Sequence, residues 1–228
     1  MDFVWQSMNC KSRNPEAIGA FYRHPVWLLN GLFIEQHELS LEHRRQMTDY
    51  IAMLCPARIA DYGGGFGTLA RMLGSKLTQS EIEIIEPFPF PFGVQLTESF
   101  ERLSYKPRLS GKYDLILATD VLEHVPDPLA LTELLAAHLA PGGKLMLANC
   151  FYPVILCHLP ETFHLRYSFT LLLRHMKLKK IAAISYAEVY AGTGNIKVTS
   201  VTRFLEKCSR LCFPIVTLLH KIWIKVKS

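Results

Sequence analysis

The 228 residues are 50% hydrophobic and 20% charged, with 13 Gly and 13 Pro. That balance supplies a core and excludes intrinsically disordered, collagen-like or linker-like sequence. The net charge of +5 is concentrated beyond residue 200, where Arg203, Lys207, Arg210, Lys221, Lys225 and Lys227 face only Glu206; the neutral body lacks the phosphate track of a nucleic-acid binder.

No apolar run nears the about 20 residues that span a bilayer. No secretory leader is expected from the opening MDFVWQSMNCKSRNPEA. Six cysteines form no C-x-x-C pair, which fits reduced thiols in a cytoplasmic protein.

In chain order, residues 1–57 read as mostly helical. Leu41, Arg44, Met47, Tyr50, Ile51 and Leu54 recur at three- and four-residue steps; Ser40 offers an N-cap and Pro56 an end. Arg58–Tyr62 is a short strand running into Gly63-Gly64-Gly65-Phe66-Gly67, and Thr68–Leu73 is helical. Ile82–Glu86 is a second strand, stopped by Pro87. Tyr113–Thr119 is nearly all apolar, as in a parallel sheet covered on both faces.

Asp127-Pro128 starts a helix that continues through Leu139 and ends at Pro141-Gly142-Gly143, before a strand over Lys144–Ala148. An irregular stretch at 150–168, a helix near 169–176 and strands near 181–190 and 196–203 follow. Strand–helix alternation predicts a doubly wound α/β sheet. The chain divides into a helical cap (1–57), a sheet domain (58–203) and a terminal helix (204–228).

The glycine loop lies between a strand and a helix start, where backbone N–H groups and the helix dipole favour a nucleoside or anionic ligand. Gly63, Gly65 and Gly67 give G-x-G-x-G; Thr68 stands where a dinucleotide fingerprint needs glycine, and no Gly-Lys-Ser/Thr follows. Glu86, at the end of the second strand, can accept hydrogen bonds from both hydroxyls of a ribose.

IADYGGGFG (59–67), IEIIEP (82–87), YDLILATDVLEHVPDP (113–128) and LAPGGKLML (139–147) resemble the successive motifs of class I S-adenosylmethionine-dependent methyltransferases. The LEHVPDP form is similar to the branch that holds ubiquinone- and menaquinone-biosynthesis methyltransferases and many small-molecule O-methyltransferases. The resemblance covers about residues 58–149 and implies a Rossmann-like, seven-stranded methyltransferase sheet. It implies that Asp61 helps hold the methionine end of the cofactor, that Gly63, Gly65 and Gly67 form its loop, and that Glu86 binds ribose. Thr119 and Asp120 match the segment that runs beside the cofactor, and Phe88 can flank adenine. The family's acid for the adenine amine has no counterpart between 93 and 112, where Glu98 and Glu101 fall in a helix-like stretch.

Methyl transfer to a hydroxyl calls for a base, and His suits neutral pH. His124 follows the cofactor strand and is the first candidate; His158 and His164, in CHLPETFH, come next, and His37 and His43 lie in the cap. In some relatives acids and a His at the positions of Asp120, Glu123 and His124 hold a divalent metal, so these three are the residues to test if activity depends on one.

From 204 onward, Phe204, Cys208, Leu211, Ile215, Leu218, Ile222 and Val226 form an apolar stripe with basic residues off it. This is a basic amphipathic helix, bent at Pro214, suited to the inner face of a membrane or to docking on protein. The expected function is methyl transfer from S-adenosylmethionine to a small-molecule or glycan hydroxyl. The alternatives are a lipid or quinone methyltransferase at a membrane surface and a non-catalytic cofactor-binding partner subunit.

Overall fold

Seven strands form one sheet in the order β3-β2-β1-β4-β5-β7-β6. The computed structural model describes residues 1–10 and 14–227. The side chains of Lys221 and residues 224–227 fall outside that description, as does Ser228, so the tail charges at Lys221, Lys225 and Lys227 and the stripe residue Val226 are not placed.

Strands β1 (Arg58–Tyr62), β2 (Glu81–Ile85), β3 (Leu103–Lys106), β4 (Tyr113–Thr119) and β5 (Leu139–Ala148) are parallel. β7 (Ala187–Gly192) runs antiparallel between β5 and β6 (Leu178–Ile184). The central parallel strands β1 and β4 are buried on both faces, which is why β4 reads as a continuous apolar run. Lysines 179 and 180 keep the exposed edge strand β6 charged, a guard against edge-to-edge pairing.

Two apolar layers cover the sheet. Helices α4 (Glu38–Leu54) and α5 (Thr68–Lys76) bury Met47, Ile51, Leu69 and Leu73 on one face. On the other, α7 (Pro128–Ala137) and α8 (Leu165–His175) bury Leu129, Leu135, Leu172 and Leu173. The cap helices α1 (Asp2–Ser7), α2 (Pro15–Tyr22) and α3 (Val26–Gln36) build a third cluster, in which Trp5 and Phe21 pack with Cys157 and Leu159. The cap is therefore anchored to the segment after β5.

Five local expectations are corrected. The N-cap of α4 is His37; Ser40 lies in the first turn, where its hydroxyl accepts from Arg44. α7 stops at Ala137, and Leu139 already pairs with Tyr113: a bulge carries Pro141-Gly142-Gly143 into β5. The run at 181–190 is two strands, because Ser185, at φ +56°, turns the chain between them. The run at 196–203 is no strand: the Thr199 hydroxyl accepts from the Thr202 N–H at 3.2 Å and α9 (Ser200–Lys227) begins. Glu98 and Glu101 follow the short helix α6 (Pro91–Thr97), and β3 comes next, unforeseen.

Candidate active site

The chain leaves β1 through three glycines held in different ways. Gly63 has φ +70°, and a Cβ there would lie 2.6 Å from Val121 Cγ2. A Cβ on Gly64 would lie 2.6 Å from Asp61 Oδ2. Gly65 has φ +55°, and a Cβ on it would meet nothing within 4 Å, so its open side is room for a ligand. The Tyr105 hydroxyl donates to the Gly65 carbonyl at 2.8 Å and fixes the loop from β3. Gly67, at φ +73°, closes the turn onto Ile84 and caps α5; it does not line the cavity with Gly63 and Gly65.

That cavity, about 740 Å³, opens at the carboxyl ends of β1, β2 and β4, where α/β sheets bind ligands. Asp61, Glu86, Phe88, Thr119 and Asp120 line it. Asp61 is buried, and desolvation lifts its carboxyl to about 6, aided by the charge of Glu86 and opposed by Arg44. Burial also raises Glu86; the Phe88 N–H, donating to Glu86 Oε1 at 3.3 Å, works against that rise. Asp120 holds a left-handed backbone at φ +55°, a conformation Asp tolerates and one found at ligand-binding turns. Its Oδ2 accepts from the Tyr186 hydroxyl at 2.8 Å. The Arg23 guanidinium lies 4.8 Å from the centre of the Phe88 ring.

The loop fits an adenosyl group. Gly65 leaves an approach free of side chains, and Glu86 presents a carboxylate on the same cavity wall. Arg44 supplies the balancing cation. It is buried in α4, donates to the Ser40 carbonyl and hydroxyl at 3.1 and 2.6 Å, and lines the same cavity. The sequence held a signal for it, since an arginine interrupts the otherwise apolar series of α4. No such signal marked Tyr22 and Trp27, whose stacked rings, 5.0 Å apart, wall the other end.

His124 and His158 meet at that end, with ring centroids 4.8 Å apart. His124 Nδ1 lies 3.0 Å from the Cys157 carbonyl, and His158 Nδ1 lies 2.7 Å from the Tyr152 carbonyl. A carbonyl only accepts, so each Nδ1 carries a proton and is committed to its carbonyl. Burial, reinforced by His158, lowers His124 to about 4, so the ring is neutral at pH 7.

His164 is elsewhere. It is buried as the N-cap of α8, both ring nitrogens lack a partner, and it does not line the cavity. His43 packs against Tyr186 and His37 against Phe33; neither lines the cavity.

The grouping of Asp120 with Glu123 and His124 also changes. Asp120 is engaged by Tyr186, and the ligand-type atoms of Glu123, His124 and His158 lie within 4.8 Å of one another. Glu123 is fully buried. Its Oε1 accepts from the Cys150 N–H at 2.8 Å, Oε2 lacks a partner, and desolvation, then the charge of Asp120, pushes the carboxyl up to about 8.

The strand order, the reversed β7 and a glycine-loop cavity at the carboxyl ends define the fold of class I S-adenosylmethionine-dependent methyltransferases. A family model described as "Methyltransferase domain" matches residues 36–184, and the chain belongs to that family. Ubiquinone biosynthesis O-methyltransferase of Xanthomonas euvesicatoria pv. vesicatoria is 33% identical over 107 residues, 42% of this chain and 44% of that protein. The Aeromonas salmonicida enzyme of the same name is 26% identical over 134 residues, 54% of this chain and 56% of that protein. The chain thus spans about half the length of the curated relatives it matches.

Among solved structures, the 1,6-didemethyltoxoflavin-N1-methyltransferase of Burkholderia thailandensis, with bound 1,6-didemethyltoxoflavin and S-adenosylhomocysteine, superposes with a TM-score of 0.61. It is 15% identical and is matched over 81% of this chain and 93% of that one. The mitomycin 7-O-methyltransferase MmcR gives 0.52 at 15% identity, over 82% and 59%. At these identities the likeness is one of fold.

Proposed function

We propose that this chain transfers a methyl group from S-adenosylmethionine to a hydroxyl of a small-molecule or glycan acceptor, with His124 as the general base. The observation that supports this is geometric: an imidazole on the cavity wall whose Nδ1 is committed to the Cys157 carbonyl, leaving Nε2 as the nitrogen that can take a proton.

When bound, S-adenosylmethionine supplies an electrophilic methyl group on its sulfonium. In this reading Glu86 accepts from both ribose hydroxyls, Gly63 and Gly65 admit the nucleoside, and Phe88 flanks adenine. Asp61, Thr119 and Asp120 bind along the methionine side, with Arg44 available to its carboxylate. Tyr22 and Trp27 exclude water from the acceptor end, and His158 holds His124 in place. Alignment of the acceptor with the methyl group supplies much of the rate, and His124 Nε2 receives the hydroxyl proton. Residues 1–57 act as the cap and 58–203 as the catalytic body of a cytoplasmic enzyme.

The test is incubation with methyl-labelled S-adenosylmethionine and fractionated cell extract. A labelled O-methyl product is expected, and His124→Gln should lower kcat about 10²–10⁴-fold while calorimetry finds the cofactor affinity unchanged. Tight cofactor binding with no labelled product from any fraction would instead identify a non-catalytic partner subunit.

A further inference from the structure

The two sides of α9 differ. Thr202 and Glu206 are buried, the Ser209 hydroxyl donates to Ser168 Oγ at 2.7 Å, and Phe213 packs on Tyr167 with ring centroids 6.2 Å apart. Arg203 joins this side to Asp127 at 2.5 Å. Those positions share one face of a helix and seat α9 on α8 and the start of α7.

The opposite face carries Phe204, Leu211, Ile215, Leu218 and Ile222, each between 50% and 79% exposed. At 3.6 residues per turn they form a stripe about 60° wide and about 27 Å long. Helical side chains normally turn such a stripe toward a core; here the core lies behind the helix and the stripe points away from it.

Charge selects the occupant. From 207 to 228 the sequence has five Lys or Arg and no Asp or Glu, and Lys207 and Arg210 are exposed along one flank of the stripe. Two copies laid stripe to stripe would bring these like charges together. An anionic lipid surface offers both an apolar layer for the stripe and phosphates for the flank. Among the described residues no helix is long and apolar enough to cross a membrane, so α9 would lie in the interface plane.

We propose that α9 binds this protein to an anionic bilayer surface, with Phe204, Leu211, Ile215, Leu218 and Ile222 at the headgroup–acyl boundary. The proposal is independent of the methyl acceptor's identity. Its test is co-sedimentation of the full chain with vesicles of phosphatidylcholine alone and of phosphatidylcholine with phosphatidylglycerol.

The full chain should sediment with the phosphatidylglycerol vesicles and be released as salt screens the attraction. The variant L211S/I215S/L218S should lose at least about tenfold in partitioning with an unchanged unfolding temperature, since all three side chains are exposed. The proposal is overturned if the full chain stays in the supernatant with phosphatidylglycerol vesicles, or if the triple variant sediments like the parent. Gel filtration that shows a dimer dissolved by the same substitutions would equally overturn it, assigning the stripe to a second copy.

Discussion

Glu86 and Glu123 show how a carboxyl's surroundings divide its work. Glu86 follows β2 at the cavity wall, where it accepts from the Phe88 N–H. A hydrogen bond to a charged acceptor is worth about 1.5–3 kcal/mol, so Glu86→Ala should weaken S-adenosylmethionine binding by about tenfold or more; calorimetry giving equal affinities would remove Glu86 from the ribose site. Glu123 is fully buried, and that burial pushes its carboxyl up to about 8 from an ordinary 4.5. A carboxyl raised on folding stabilises the protein below its unfolded value, and that contribution is lost as pH rises from about 4.5 to 8. Glu123→Gln keeps the acceptor for the Cys150 N–H and cannot ionise. The unfolding temperature of the parent should therefore fall relative to this variant as pH rises through that window, and parallel curves would refute the assignment.

At the scale of elements, the cap of α9 decides whether the terminal helix is held. Thr199 accepts from the Thr202 N–H, and the Thr199 and Thr202 hydroxyls lie 3.0 Å apart. Thr199→Ala should cost about 0.5–2 kcal/mol, read as faster amide exchange over 200–206 than in the sheet.

The same element shows where sequence reading reached its limit. Val198, Thr199, Val201 and Thr202 are β-branched and resemble a strand, but a threonine hydroxyl in the right place starts a helix. β1, β4 and the buried half of β5 were legible because strands covered on both faces must be apolar throughout. β3, four residues with only Leu103 buried, carries no such mark. In CHLPETFH the spacing alone could not separate His158 from His164. The 3₁₀ turn at Pro160–Thr162 leaves the first on the cavity wall and carries the second to the buried N-cap of α8. Asp120 likewise sits beside Glu123 in sequence, while Tyr186, arriving from the β6–β7 turn, claims its carboxylate.

At the scale of the molecule, the cavity is walled by parts distant in sequence. The sheet ends supply Asp61, Glu86 and Asp120; α4 supplies Arg44; the cap supplies Tyr22 and Trp27; the segment after β5 supplies His158. Cap and segment share one apolar cluster around Phe21 and Leu159, so the Tyr22–Trp27 end of the cavity depends on packing that the sheet motifs do not encode. Arg166 ties that segment to the terminal helix, its guanidinium 4.4 Å from the Tyr152 ring centre and 4.9 Å from that of Phe213.

The placement of β7 between β5 and β6 has a consequence for how the protein is made. Until residues 187–192 have left the ribosome, β5 keeps an open hydrogen-bonding edge lined by Leu145 and Leu147, and β6 has nothing to pair with. A nascent chain that stalls in the β6–β7 turn therefore exposes a sticky half-sheet, and the β6–β7 hairpin is what seals it.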